Sequence, residues 1–361
     1  MTVAMDGGIA MITSGFPRVS ETFALNELLA LERAGALGAI FATKPGDGRS
    51  PQPGAETLAG RVEVLSDPRP AAQVARVVAR VHGGHVRAVH AYFAHAPAVV
   101  AERAAAALGV PFSFSAHARD IRKVPRGELT RRARAAACVV ACNTDVADDL
   151  GTTGARVELI PHGVDLRRFT PTPPPCGEPL ELLAVGRLVE KKGLGALLEA
   201  VAGLEAPFRL RIVGDGPLRG ALERSIVDAG LYDRATLDGA LTHRELPDAY
   251  AGANVVVVPS VQDAGGDRDG LPNVVLEAMA SARPVVASEM AAIPAAVRDG
   301  DTGLLVPPGD PQALRAALER LASDPALRAG MGVAARRRVE RDFELGRCTR
   351  RLLDCLRDAY A

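Results

Sequence analysis

Short apolar runs alternate with helix-forming stretches along nearly the whole chain, and this alternation most limits what the chain can fold into. Residues 9–13 and 255–258 are runs with the length and composition of buried strands. Alanine-rich stretches such as residues 71–81 and 96–108 lie between runs of this kind and predict helices. Strands alternating with helices are typical of βαβ units with parallel strands. The sequence therefore predicts an α/β fold built on doubly wound parallel sheets.

The chain is long enough for two such domains. Its 361 residues exceed the size of about 250–300 residues at which single cores stop growing. A proline-rich segment at residues 170–175 cannot form a regular helix or a central strand. We therefore expect an N-terminal Rossmann-like domain at residues 1–165 and a C-terminal one at residues 166–345, with a last helix at 346–361 that packs back on the N-terminal domain. Two such halves place a binding cleft between them, at the carboxyl ends of the strands.

Composition excludes several classes of protein. The formal net charge is zero, so no overall field directs the chain to nucleic acid or to a membrane. The five cysteines form no CxxC pair and no cluster with histidine along the sequence, which predicts reduced thiols in a cytoplasmic protein. No apolar stretch approaches the roughly 18 residues of a membrane-spanning helix, and residues 1–8 lack the pattern of a secretory signal.

The segment DGLPNVVLE, residues 269–277, is the strongest candidate site. Pro272 suits the first turn of a helix, which places Asp269 on the preceding loop and Glu277 about one turn inside the helix. A helix N-terminus offers backbone N–H groups and a favourable dipole to an anion. Two carboxylates beside that point can accept hydrogen bonds from hydroxyl groups. This combination suits a nucleoside diphosphate sugar.

A second candidate site follows a strand in the segment VGRLVEKKG, residues 185–193. Arg187 and Lys192 are five residues apart across a turn into a helix. Arginine presents a planar fork to phosphate oxygens, and lysine a point charge. Together they can neutralise a diphosphate as it leaves. We assign the role to Lys192 instead of Lys191, because Lys192 directly precedes Gly193.

These segments resemble the motifs of the GT4 family of retaining glycosyltransferases. Residues 269–277 are similar to the E-x7-E motif of that family, with Asp269 in place of the first Glu. The segments GRL…KG, GDGP and TGLLV also match, and the resemblance is densest over residues 186–306. It implies a GT-B fold, two Rossmann-like domains facing a central cleft. It also implies transfer of a sugar from a nucleoside diphosphate sugar, with UDP ahead of GDP, to a hydroxyl of a saccharide, a lipid-linked or a small-molecule acceptor.

The resemblance also implies roles for individual residues. Catalytic roles fall to His117, in a segment similar to the family's HAHD, and to Asp269, Arg187 and Lys192. The donor-binding residues it implies are Gly15, Gly186, Arg187, Lys192, Gly214, Leu241, Asp269, Gly270, Leu271, Pro272, Asn273 and Glu277. The acceptor-binding residues are Ser20 and Glu21 in an FPxxSETF segment, Arg119 and Asn143.

Local alternatives remain open at several of these positions. Ser20 with Glu21, and Asn143, are equally typical of helix N-termini. Residues 119–134 carry seven cations against two acids. This stretch is either a solvated helix face or a surface for an anionic acceptor or a peripheral membrane contact.

Neither a metal nor another cofactor is expected. Residues 267–269 spell DxD, which suggests a metal site in GT-A transferases, but here the segment is continuous with the donor motif, so we predict metal-independent donor binding. One departure from the family is AAIPA at residues 291–295, where GGIPE is usual and Ala295 replaces the glutamate.

Other functions are compatible with parts of this sequence. A nucleotide-sugar 2-epimerase or a pseudo-glycosyltransferase shares the fold, and a non-catalytic partner subunit of a transferase would explain Asp269 and Ala295. An oxidoreductase is disfavoured, because no GxGxxG segment follows the first strand. With only 4% aromatic residues, nucleic acid is not an expected partner.

Overall fold

The computed structural model describes residues 7–18, 21–47, 54–84 and 86–361, apart from the side chain of Arg119. These residues form two compact units. Unit 1 comprises the described residues up to Gly163 together with Leu345–Ala361, and unit 2 comprises Val164–Glu344.

Unit 1 is built on one parallel sheet. The strands that the structure describes there are β1 (Gly8–Thr13), β2 (Leu37–Ala42), β3 (Val62–Val64), β4 (Val86–Tyr92), β5 (Phe112–Ala116), β6 (Val139–Ala141) and β7 (Val157–Leu159). Their order across the sheet is β3-β2-β1-β4-β5-β6-β7, and each neighbouring pair is parallel. The helices between them are α1 (Thr22–Arg33), α2 (Ala55–Ala59), α3 (Pro70–Val81), α4 (Ala96–Leu108), α5 (Ala118–Ile121), α6 (Arg126–Ala135) and α7 (Thr144–Gly151).

The sheet of unit 1 is buried on both faces. Successive side chains of a strand point to opposite faces, and those of β1 enter two separate cores. Ala10 and Ile12 lie in one hydrophobic cluster, and Ile9 and Met11 in another. This explains why β1 is continuously apolar instead of alternating with polar residues.

Unit 2 repeats this architecture. Its strands are β8 (Leu180–Val185), β9 (Phe208–Val213), β10 (Ala235–Gly239), β11 (Val255–Val258), β12 (Val285–Ser288) and β13 (Gly303–Val306). They form a parallel sheet in the order β10-β9-β8-β11-β12-β13. The helices are α8 (Leu194–Ala202), α9 (Arg219–Asp228), α10 (Leu246–Ala251), α11 (Asn273–Ala280), α12 (Ile293–Ala296), α13 (Pro311–Ser323) and α14 (Pro325–Asp342). The predicted α/β fold class with two Rossmann-like domains is confirmed.

The last helix, α15 (Leu345–Ala359), belongs to unit 1. Its apolar residues recur at helical spacing, and Leu352, Leu353 and Leu356 are buried in the cluster that contains Ile9 and Met11. The side chain of Arg87 in β4 donates to the carbonyl oxygen of Tyr360 at 3.1 Å. The helix thus closes one face of the sheet of unit 1.

Two details of the sequence analysis need correction. The strand β10 was not predicted, because its sequence ATLDG contains Asp and Gly, which are rare in strands, and it lies at the sheet edge. Pro272 is the N-cap of α11 and not part of its first turn, so the helix begins one residue later than expected. Across the described residues, none of the helices has both the length and the apolar character needed to span a bilayer.

Candidate active site

Asp269 lies between two lysine side chains in unit 2. A 3-10 turn, Glu190–Lys192, follows β8 and carries both lysines, and Asp269 lies in the loop between β11 and α11. Lys192 Nζ donates to one carboxylate oxygen of Asp269 at 2.6 Å, and Lys191 Nζ lies 3.1 Å from the other. Burial by itself raises the pKa of Asp269, but the two ammonium groups outweigh that effect, so its pKa lies below its usual value. Asp269 is therefore an ionised carboxylate held in one orientation.

Lys191 is a residue of this site that the sequence analysis passed over. It is buried, and its ammonium group also donates to Asp267 Oδ2 at 3.1 Å. Two adjacent lysines give no sign in the sequence of which side chain turns inward, because the backbone of the turn decides it. The two carboxylates of the DxD segment thus share one ammonium group.

Arg187 lies two residues after the end of β8 and has an exposed side chain. Among the residues that the structure describes, its guanidinium group has no hydrogen-bond or ion-pair partner. Arg187 therefore needs no rearrangement within unit 2 to bind an anion.

Two glycines bring the strand ends of unit 2 into close contact. A Cβ atom on Gly214, after β9, would lie 1.8 Å from the carbonyl oxygen of Gly186, after β8. A Cβ on Gly186 would meet the side chain of Lys192 at 3.2 Å. Both predicted glycines thus lie at one edge of the sheet, next to the predicted lysine, and leave the backbone there unobstructed.

Glu277 is buried on the inner face of α11 and not on the helix surface. The hydroxyl group of Tyr250, from α10, donates to Glu277 Oε2 at 2.7 Å. Burial raises the pKa of Glu277, and the hydrogen bond from Tyr250 and the charge of Arg168 only partly oppose it.

The remaining predicted donor residues lie in unit 2, except for Gly15. Leu241 and Leu271 pack against the hydrophobic cluster that contains Tyr250. Gly270 lies in the loop before α11, and Asn273 is the first residue of that helix. Gly15 lies in unit 1, in the loop after β1.

Glu21 is the acidic residue of the first βα loop of unit 1. Arg18 forms an ion pair with it, with 2.8 Å between Arg18 Nη1 and Glu21 Oε1. Burial raises the pKa of Glu21 to about 7, against the opposing charges of Arg18 and Lys44. The predicted acceptor residue Ser20 lies outside the described residues, as does the side chain of Arg119, whose backbone belongs to α5.

His117 is enclosed by rings at the end of β5. The ring centroids of Phe23 and Phe93 lie 5.0 and 4.8 Å from that of His117. Burial lowers the pKa of His117, although Asp120 opposes the shift. The Asp120 carboxylate accepts from the backbone N–H of His117 at 2.6 Å, which fixes the start of α5.

The structure brings Cys142 and His162 to His117, a histidine–cysteine cluster that does not exist along the sequence and was not predicted. The Cys142 sulfur and one ring nitrogen of each histidine all lie within 4.8 Å of one another. These residues follow β6, β7 and β5, and the carboxyl ends of neighbouring parallel strands meet at one sheet edge. Spacing along the sequence could not reveal this. Burial, with the nearby charges of Asp120 and Glu27, raises the pKa of the Cys142 thiol.

Asn143 caps a helix, which was the local alternative considered for it. Its side-chain oxygen accepts from the backbone N–H of Val146 at 3.0 Å at the start of α7, and its amide donates to Cys142 Sγ at 3.2 Å.

The basic stretch at residues 119–134 is partly neutralised within unit 1, where three of its seven cations pair with acids. Arg122 pairs with Asp145 at 3.2 Å, and Arg131 with Glu102 at 2.5 Å. Arg132, expected on a solvated or ligand-binding face, is buried and bonded to Glu102 and Glu128. Acids from other elements, Asp145 and Glu102, provide part of the missing negative charge, and a local count of the sequence does not include them. This weakens the case for a continuous basic binding surface.

Two family models match the chain. The model described as Glycosyltransferase Family 4 matches residues 20–168, in unit 1 and the first residues of unit 2. The model described as Glycosyl transferases group 1 matches residues 179–324, within unit 2. Together they cover most of the chain and the strands of both Rossmann-like sheets except β1.

Similar proteins and structures agree with these matches. The amylovoran biosynthesis glycosyltransferase AmsK of Erwinia amylovora is 38% identical over 182 residues, 50% of this chain and 45% of that protein. A GDP-mannose-dependent alpha-(1-6)-phosphatidylinositol monomannoside mannosyltransferase of Mycolicibacterium smegmatis is 35% identical over 195 residues, 50% of this chain and 51% of that protein. The chain spans about half the length of the curated relatives it matches. The structure of Anabaena Alr3699/HepE in complex with UDP superimposes with a TM-score of 0.81 at 20% identity, over 97% of this chain and 100% of that one.

Proposed function

The chain belongs to the family 4 glycosyltransferases, and we therefore propose that it is a retaining enzyme that moves a sugar from a nucleoside diphosphate sugar to a hydroxyl group. Uridine diphosphate is the first candidate for the donor, as in the HepE complex. Guanosine diphosphate is the alternative, because mycobacterial relatives are named for GDP-mannose. The acceptor is a saccharide, lipid-linked or free, or a small molecule; AmsK, named for amylovoran biosynthesis, favours the saccharide.

The observation that carries the proposal is the pair of cations that follow β8. Arg187 is exposed and unpaired among the described residues. Gly186, the residue before it, lies against the side chain of Lys192, which Asp269 holds in place. The carboxyl ends of parallel strands are where ligands of doubly wound sheets bind. A diphosphate bound here meets an arginine fork and an ammonium group at once.

The reaction needs charge stabilisation at the leaving group. As the bond between the anomeric carbon and the diphosphate oxygen breaks, negative charge grows on the diphosphate. Arg187 and Lys192 stabilise that charge, and backbone N–H groups at the start of α11 add to the effect. Asp269 and Glu277 bind hydroxyl groups of the donor. The acceptor hydroxyl attacks from the face that the diphosphate leaves and passes its proton to the departing phosphate, so the anomeric configuration is retained.

Unit 1 supplies the acceptor-binding residues in this proposal. Glu21 and His117 are its polar groups, and both are shielded from solvent by their neighbours. Donor binding requires no metal, and the ion pairs support this. Lys191 already supplies a positive charge to the carboxylates of Asp267 and Asp269, where a GT-A enzyme uses a metal ion.

The test is thermal stabilisation of the purified protein by UDP, GDP and their sugars, with EDTA present. A ligand at 100 times its dissociation constant adds about 2.7 kcal/mol to the free energy of unfolding. We expect a rise in melting temperature with one nucleotide and its sugars. Arg187→Ala should weaken binding on the order of 10- to 100-fold, because hydrogen bonds to charged groups contribute about 1.5–3 kcal/mol. Arg224→Ala, which removes an exposed cation from α9, is the matched control and should bind as the parent does.

Each outcome decides between the candidate functions. No shift with any nucleotide, or an equal shift in Arg187→Ala, contradicts the donor site and favours a non-catalytic partner subunit. A shift followed by epimerised donor in the product identifies the epimerase alternative instead.

A further inference from the structure

Two cysteine side chains touch each other inside unit 1. Cys138 immediately precedes β6, and Cys355 lies in α15, 217 residues further along the chain. Their sulfur atoms lie 3.8 Å apart, and both side chains are buried. Both thiols are free. The pair is separate from the residues proposed to bind the donor or the acceptor.

The sheet of unit 1 sets the position of Cys138. The residues on either side of it are held by backbone hydrogen bonds to neighbouring segments. The N–H group of Ala137 donates to the carbonyl oxygen of Phe112 in β5 at 2.8 Å, and that of Val139 to the carbonyl oxygen of Arg156 at 2.9 Å. The backbone that carries this thiol is therefore fixed on both sides.

The position of Cys355 is set by contacts at the end of α15. Arg87 in β4 donates to the carbonyl oxygen of Tyr360 at 3.1 Å, and the hydroxyl group of Tyr360 is hydrogen-bonded to Ser113 in β5. Tyr360 itself is buried. These contacts hold the helix in the register that presents the thiol of Cys355 to that of Cys138.

The two thiols differ in reactivity. Cys355 keeps 8% of its surface exposed, and Cys138 is 0% exposed. The hydrogen bond between the two sulfur atoms lowers the pKa of Cys355, and the same bond together with burial raises the pKa of Cys138. The thiolate is the form of cysteine that reacts with oxidants. Cys355 is therefore the sulfur that an oxidant reaches and that reacts first.

We propose that Cys138 and Cys355 are a modification site, at which a peroxide forms a reversible disulfide between the sheet of unit 1 and α15. The Cys355 thiolate attacks one oxygen of hydrogen peroxide, the O–O bond breaks, and the sulfur becomes a sulfenic acid. The hydroxide that leaves combines with the proton that the Cys355 thiol gave up. The sulfur of Cys138 then attacks the sulfenic sulfur, the S–O bond breaks, and the leaving hydroxide takes the proton of Cys138. Two thiols are oxidised, and one peroxide is reduced to two molecules of water.

The disulfide requires little movement and has a large effect on the chain. Sulfur atoms in a disulfide are about 2.05 Å apart, so this pair must approach by about 1.8 Å, which rotation of the two side chains provides. The bond closes a loop of chain that includes the whole of unit 2. Closing a long loop lowers the entropy of the unfolded chain and so stabilises the folded one. The inference does not rest on the proposed function, so either can fail without the other.

The experiment exposes the full chain, freed of reductant, to hydrogen peroxide and then counts the remaining thiols in denaturant. It uses a Cys176→Ala background, because that exposed cysteine can cross-link separate chains. We expect two of the four remaining thiols to be lost, a peptide cross-linked between Cys138 and Cys355 in mass spectrometry, and full recovery with dithiothreitol. The melting temperature should rise on the order of 5–10 °C on oxidation and return on reduction.

Variants test whether this pair is responsible. Cys355→Ala should remove both the cross-link and the rise in melting temperature. Cys348→Ala, which removes another buried thiol from the same helix, is the matched control and should behave as the background chain does. Melts with dithiothreitol establish that each variant is folded, and Cys138→Ala replaces Cys355→Ala if that variant does not fold.

The cross-linked peptide is measured on the background chain, so it decides the question even if neither variant of the pair folds. Four thiols that persist in peroxide overturn the inference, and so does a cross-link that joins other cysteines. A rise in melting temperature that survives Cys355→Ala or Cys138→Ala also overturns it.

Discussion

Burial of Glu21 should make unit 1 less stable as pH rises, and the size of this effect follows from one shifted pKa. Burial raises the pKa of Glu21 to about 7 from an ordinary value of 4.5. The folded protein therefore holds a proton on Glu21 over a range in which the unfolded chain has lost it. Stability supplied by this proton is complete below pH 4.5 and is lost as pH rises through about 7. At about 1.4 kcal/mol per pKa unit, the loss amounts to about 3 kcal/mol.

The substitution Glu21→Gln removes the titration and keeps the size of the side chain. The free energy of unfolding of the variant, relative to the parent, should rise by about 3 kcal/mol between pH 4 and pH 8. Urea titrations of both proteins across this range measure the difference. If Glu21→Gln is more stable than the parent at pH 8 but less active, the result would agree with a role of the Glu21 carboxylate in acceptor binding that costs stability.

Glu102→Gln is a control of opposite sign. Hydrogen bonds from Arg131 lower the pKa of Glu102 despite its partial burial. The contribution of Glu102 to the free energy of unfolding is therefore present at neutral pH and is lost as pH falls. Glu102→Gln should therefore lose stability at pH 8 relative to pH 4. A difference between Glu21→Gln and the parent that stays constant or falls with rising pH would refute the reasoning about Glu21.

Three further predictions concern unit 2. Tyr250→Phe removes the hydrogen bond to buried Glu277 and should lower the free energy of unfolding by about 1–3 kcal/mol in urea titrations at pH 7; no change would show that the contact is dispensable. Glu277→Gln keeps a hydrogen-bond acceptor for Tyr250 without the buried charge, so the melting temperature of the free protein should stay the same or rise. The rise in melting temperature caused by nucleotide sugars should disappear, and a variant that retains this rise would exclude Glu277 from donor binding. Gly193 has φ 63° and its added Cβ would lie 1.8 Å from the Pro259 carbonyl oxygen, so Gly193→Ala should cost about 2–4 kcal/mol. Gly195→Ala in α8 meets no atom within 4 Å and should stabilise by about 0.5–1 kcal/mol; equal effects of the two glycine substitutions would contradict this.

Periodicity and apolar runs were sufficient for the fold because both sheets are parallel and buried. A strand such as β11, four consecutive valines, fits a parallel sheet that is covered on both faces. The edge strand β10 escaped prediction because an edge strand needs less apolar surface, and its Asp and Gly are locally typical of turns. Burial therefore governs which strands can be predicted from the sequence.

Side-chain partners across the sheet could not be predicted in the same way. The segments carrying Arg187, Lys192 and Asp269 were selected from local motifs. The burial of Lys191, in contrast, depends on the backbone of the turn Glu190–Lys192, which decides the direction of each lysine side chain. Glu27 carried one signal, an acid on the apolar face of α1, where a buried carboxylate needs a partner. Its partner, His162, is 135 residues away, and no local window contains both.

The position of α15 has a consequence for biosynthesis. Unit 2 is a continuous stretch, whereas unit 1 is assembled from two stretches that flank it. On the ribosome, the first stretch of unit 1 emerges early, but the core that contains Ile9 and Met11 lacks the residues of α15 until residue 360 has been made. Unit 2 can therefore finish folding before the unit that precedes it. In the interval, the exposed apolar face of the first sheet is the part of the nascent chain that most needs a chaperone.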